Sequence, residues 1–177
     1  MALKNKNNSK KLYIFLILAG IVCFLLASSV MPFVSEAKGN EVPDVLLCFV
    51  CAVPFFAGSK KASIFALAAG FFADLFINSP TALSPVVFLA CVWIVPAVAK
   101  LFSRTGTLVI SICTLPCILL RAAVGIISTL ISVDGAGFAR VMSDFSPLSI
   151  VFNFACAICV SFVMRFVAKK LRIQSVI

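Results

Sequence analysis

Residues 12–34 read LYIFLILAGIVCFLLASSVMPFV, twenty-three positions without a charge. A helix needs about 20 apolar residues to cross the hydrocarbon of a bilayer, so this stretch reads as a membrane span. Ahead of it lies a basic, Asn-rich head, residues 1–11, with Lys4, Lys6, Lys10 and Lys11. A secretory leader shares the basic head and the apolar stretch. Here the apolar run is longer than a leader's, and no small-x-small site closes it, so it reads as a retained helix.

Working outward, five further apolar runs follow, at 42–58, 62–78, 86–102, 107–131 and 147–168, and a basic tail, 169–177, ends the chain. The breaks between them are short and polar: Glu36 to Glu41, Gly58-Ser59-Lys60-Lys61, Asn78-Ser79-Pro80, Ser103 to Gly106, and Val133 to Asp144. Pro96 and Pro116 fall inside runs, where neighbouring helices can accommodate them, Pro96 as a kink. Of the 177 residues 63% are hydrophobic and 12% charged. So short a chain cannot bury that much apolar surface in one water-soluble core. The expectation is an all-α polytopic membrane protein with six transmembrane helices, and lipid as its main solvent.

The charges set the expected orientation. Cytoplasmic loops carry an excess of Lys and Arg. With the N-terminus inside, twelve of the 15 basic residues fall on the inner side: the head, Lys60 and Lys61, Lys100 and Arg104, and Arg165, Lys169, Lys170 and Arg172. Only Lys38 and Arg140 fall outside, while Glu36, Glu41, Asp44, Asp134 and Asp144 lie on or near the outer face. Both termini are therefore expected in the cytoplasm. The net charge of +9 belongs to an inner rim facing anionic lipid headgroups, which accounts for it without nucleic acid.

The chain has no histidine, so the commonest general base and metal ligand is missing. No nucleophile–base pair or phosphate-binding glycine loop is legible, and the expectation is a protein without enzymatic activity or cofactor. The eight cysteines lie inside apolar runs, Cys48-x-x-Cys51 and Cys156-x-x-Cys159 among them. That spacing suggests metal or redox chemistry in water. In hydrocarbon they read as reduced packing residues, with no metal.

Asp74 and Arg121 stand inside apolar runs, and such residues face a bundle interior or a cavity. Counted from the cytoplasmic ends they lie about 18 Å and 21 Å up, close enough in depth to pair. Ala66, Gly70 and Ala73 are small and spaced near one helical turn, as are Ala69 and Ala73. Such a face serves either packing within the bundle or docking of another protein. Pro43 and Asp44 suit the first turn of the second helix, Asp44 by complementing the helix dipole. Trp93 reads as a mid-helix packing residue.

The stretch from Val42 to Lys100 resembles the rod shape-determining MreD family. The shared features are Pro43-Asp44 opening the second helix, a short basic turn, Gly70 followed four residues later by Asp74, and a Ser/Pro-rich turn. Where the family's turn ends in Leu-Gly, this chain reads Leu83-Ser84-Pro85. The resemblance implies a non-enzymatic protein of the bacterial cytoplasmic membrane that serves the elongation machinery of rod-shaped cells. It also implies partners: an MreC-type shape protein and, around it, the peptidoglycan synthases and the actin homologue MreB. Pro43, Asp44, Gly70 and Asp74 are the positions it marks. The competing readings are the substrate-binding membrane subunit of an energy-coupling-factor vitamin transporter, also of six helices, and a small ion or proton carrier using Asp74 and Arg121.

Overall fold

The computed structural model describes residues 2–30, 44–76, 83–102, 106–132 and 147–170. Glu36, Lys38, Glu41, Pro43, Asp134, Arg140 and Asp144, expected at the outer face, lie outside these, as do Arg104 and Arg172 of the inner side. Among the described residues the chain is all-helical: α1 (Ala2–Leu25, drawn out by a π turn over Leu26–Val30), α2 (Val45–Ala52), α3 (Pro54–Ala57), α4 (Ser59–Phe76), α5 (Ser84–Ala99), α6 (Thr107–Ser132) and α7 (Pro147–Lys170).

The helix ends follow local chemistry. The expected second run splits at Val53 because Pro54 has no N–H to bond to the turn before it. Pro54 instead opens α3 at the first helical position, where no donor is wanted. Gly58 closes α3 at φ 75°, a conformation that a side chain disfavours, and its N–H bonds to the Pro54 carbonyl. The basic turn is thus one residue wide: α4 starts at Ser59, and Lys60 and Lys61 lie on the helix. The basic head is likewise helical from Ala2, and α5 and α6 run on through Pro96 and Pro116.

The α2–α3 rod is the axis of the molecule. Every residue from Val45 to Phe56 is buried. The α2 segment packs against α1, α4, α5, α6 and α7, and those five surround it, with α4 on α5, α5 on α6 and α6 on α7 as the broadest neighbouring contacts. This arrangement explains an unbroken apolar sequence such as VLLCFVCA: a helix covered on all sides has no polar face to show.

The outward faces are apolar too. Ile14, Leu18 and Ile21 on α1, Ile64, Phe71 and Leu75 on α4, and Phe162, Val163 and Phe166 on α7 are all exposed. Trp93 is 56% exposed and belongs to this outer belt, which corrects its expected role in packing: Cys91, Val92 and Val95 take the buried face of α5. A water-soluble protein does not surround itself with apolar side chains in this way. Three stretches, Lys10–Ser29, Thr107–Ile127 and Ile150–Lys170, are long and apolar enough to cross a membrane. Val45–Ala57 and Ser84–Ala99 are apolar but shorter.

The two poles of the bundle differ in charge. Lys61 lies over the Tyr13 ring, 5.3 Å from its centroid, which brings the start of α4 to the middle of α1, where its apolar stretch begins. Phe56, Thr107, Arg165 and Lys169 line one cavity, which joins the ends of α3 and α7 to the start of α6. The described lysines and Arg165 therefore collect at one pole. Asp44, Asp74 and Arg121 collect at the other.

Candidate functional site

Two helix N-termini meet at the second pole, and each leaves backbone N–H groups without partners inside its own helix. Asp44 caps α2 by accepting from Leu47 N at 2.9 Å. The start of α5 has no cap of its own, because Leu83 occupies that position. Asp74 supplies the missing acceptor from another helix: its Oδ2 takes the Ser84 N–H at 3.2 Å. Both carboxylates thus sit at the positive end of a helix dipole.

Arg121 of α6 ties the two caps together. Its Nε lies 3.7 Å from Asp44 Oδ2, and its Nη1 donates to Ser84 Oγ at 3.1 Å. The Arg121 and Asp44 side chains are 27% and 29% exposed, so the pair is partly shielded. Asn153 of α7 completes the group, its Oδ1 accepting the Asp44 N–H at 2.7 Å, while its carbonyl accepts from the Cys48 thiol at 3.4 Å. Five side chains from α4, α5, α6, α7 and the start of α2 form one polar lock.

The sequence placed Asp74 and Arg121 close enough in depth to pair, and the structure gives them different direct partners. The two meet through Ser84, and the carboxylate in ion-pair range of Arg121 is Asp44. Helix adjacency explains the difference, since α4 lies on α5 while α6 lies on α5, α7 and α2. Because α4 begins at Ser59, Asp74 lies about 22 Å along it, near its last described turn, and its neighbour is the N-terminus of α5. Sequence reasoning missed Ser84 and Asn153. Ser84 stands where the resembled family has glycine, and that departure is the one signal that marked it.

The structure also settles the use of the small-residue stripe. Ala66, Gly70 and Ala73 are the buried positions of α4 together with Ala62, and they face α5. A Cβ on Gly70 would lie 2.4 Å from Pro85 Cα and 2.5 Å from Pro85 N. Gly70 thus lets the α5 backbone approach until Asp74, one turn on, reaches Ser84 N. Ala66 and Gly70 serve packing within the bundle, not a partner's surface. Ala69 is half-buried and faces a different neighbour: with Gly20, Phe24, Phe65, Ala68 and Phe72 it lines an apolar groove of about 490 Å³ between α1 and α4.

Asp74 Oδ1 is buried and has no hydrogen-bond partner among the described residues, although Oδ2 of the same carboxylate is used. All eight cysteines are free thiols. Cys51 of α2, Cys91 of α5 and Cys117 of α6 are fully buried, and their sulfur atoms lie within 4.8 Å of one another. The sequence reading treated these three as separate packing residues, since nothing in their spacing shows that they converge.

No family model matches the chain, and neither a curated protein nor a solved structure matches it.

Proposed function

We propose that this protein is a non-enzymatic scaffold of the bacterial cytoplasmic membrane that supports cell-wall elongation in rod-shaped cells. The observation that carries the reading is the convergence of Asp44, Gly70 and Asp74 on one lock. These positions carry the resemblance to the MreD family, and Asp44 lies 26 residues before Gly70 in the sequence. Here they cap two helices and allow the α4 and α5 backbones to approach closely. A motif spent on fixing helix ends suits a protein that works as a rigid body packed against others.

In this reading all six rods cross the bilayer, with both termini in the cytoplasm. The gathering of the described lysines and Arg165 at one pole supports that orientation. The short axis rod raises no conflict, because it is covered by its neighbours and need not match the lipid thickness. In this reading the apolar groove between α1 and α4 receives side chains from a partner's spanning helix, such as that of an MreC-type protein.

The test is depletion of the protein in its own cells, followed by complementation. Rounding on depletion, rescue by wild type, and no rescue by Gly70→Leu in the membrane fraction are expected. Unchanged cell shape, with loss of uptake of a nutrient, would overturn the scaffold reading in favour of a transporter subunit.

A further inference from the structure

We propose that Cys51, Cys91 and Cys117 form a three-sulfur site for a soft monovalent metal ion, Cu(I). The three thiols come from three different helices, α2, α5 and α6, and each is at 0% exposure. Their sulfur atoms lie within 4.8 Å of one another. Three sulfurs around a metal at about 2.3 Å stand roughly 4 Å apart, so less than about 1 Å of inward movement closes the site.

The donor set selects the metal. Thiolates favour soft cations, and carboxylate or imidazole ligands would be needed for harder ones. Among the described residues no further cysteine or carboxylate joins these three at this point. Three sulfurs without a fourth donor suit a trigonal d¹⁰ ion better than zinc, which in structural sites takes four. The Cys117 thiol lies 3.9 Å from the carbonyls of Cys91 and Cys113. Those contacts are long for a thiol bond and hold the sulfur only loosely, so it is free to turn inward.

The site is stacked on the polar lock and uses the same helices. Cys51 is seven residues below Asp44, Cys91 seven below Ser84, and Cys117 one turn from Arg121. Each metal–sulfur bond replaces a thiol proton, which leaves as H⁺, so binding makes the site more negative. Arg121 and the N-termini of α2 and α5 lie on the side that offsets this charge. The bound ion would pin α2, α5 and α6 together below the lock. This inference is independent of the cell-shape reading.

The experiment uses the full chain in detergent micelles under anaerobic conditions, titrated with Cu(I) held by a chromophoric chelator. One Cu(I) per chain is expected to transfer to wild type and to be lost from Cys51→Ser, Cys91→Ser and Cys117→Ser. Transfer to Cys113→Ser and Cys23→Ser is expected to match wild type. The copper X-ray absorption spectrum of loaded wild type provides a second reading that does not depend on the variants folding, and it should show three sulfur neighbours at about 2.3 Å. Equal transfer to the triple serine variant, no transfer to wild type, or a shell of nitrogen and oxygen would each overturn the site.

Discussion

Replacing Gly70 by alanine adds one methyl group where the α4 and α5 backbones lie in close approach. That methyl would lie 2.4 Å from Pro85 Cα and 2.9 Å from the Ser84 carbonyl carbon, where ordinary contact is 3.4–4 Å. Those atoms are backbone, so α4 and α5 must separate by about 1 Å. Overpacking of this kind costs about 1–3 kcal/mol. The separation also stretches the 3.2 Å bond from Ser84 N to Asp74, one turn away, and a lost helix cap costs about 1 kcal/mol more. The expected loss is about 2–4 kcal/mol, a fall in Tm of about 5–15 °C. Two other glycines calibrate the measurement. A Cβ on Gly20 would meet Phe65 Cζ at 2.6 Å, but a ring tip can swing away, so Gly20→Ala costs less than about 1 kcal/mol. A Cβ on Gly125 meets nothing within 4 Å, and Gly125→Ala gains up to about 1 kcal/mol of helix propensity. Thermal unfolding of the purified protein in micelles, followed by dye capture of the thiols as they become accessible, ranks the three. If Gly70→Ala melts with the wild type, or above Gly20→Ala, the close α4–α5 approach is not what Gly70 provides.

Arg121→Ala leaves the Asp44 carboxylate short of its countercharge and costs about 1–3 kcal/mol, below the figure for a fully buried pair because both side chains are more than a quarter exposed. Adding Asp44→Asn to Arg121→Ala recovers part of that loss, and strict additivity in a thermal-unfolding cycle would contradict the pair. The exchange Asp74→Arg with Arg121→Asp is expected to melt below either single variant, since Ser84 separates the two groups; recovery would show a direct pair. Ala66→Leu forces a large side chain between α4 and α5 and costs at least about 1–3 kcal/mol, whereas Ala68→Leu enters the groove beside α1 and stays near wild type. Equal melting of these two variants would argue against the assignment of the stripe to internal packing.

Much of the fold was legible because lipid imposes a coarse rule. An apolar run of the right length becomes a helix, and charges collect at its ends. The third to sixth expected runs coincide with described helices to within a few residues, the second is divided at Val53 by Pro54, and the first helix starts ten residues early, at Ala2. Length alone does not carry every rod across, as the thirteen-residue Val45–Ala57 shows.

The site was legible in part. Asp44 as the cap of α2, and Gly70 and Asp74 as a related pair, could be named from their places along the chain. Their partners could not. The link from Arg121 to Asp44 rather than to Asp74 depends on which helices adjoin α6. The meeting of Asp74 with Ser84 depends on how closely α4 lies on α5. The convergence of Cys51, Cys91 and Cys117 depends on the rotation of three helices about their own axes.

By itself the sequence determined the solvent, the number of apolar runs and the two charged poles, because hydrophobicity and charge act residue by residue. The tertiary structure decided that the second run is the covered axis, that the small-residue stripe is consumed inside the bundle, and that three thiols share one point. Those outcomes are set by helix order and rotation, and an apolar sequence with little polar patterning does not encode either in a form that can be read one segment at a time.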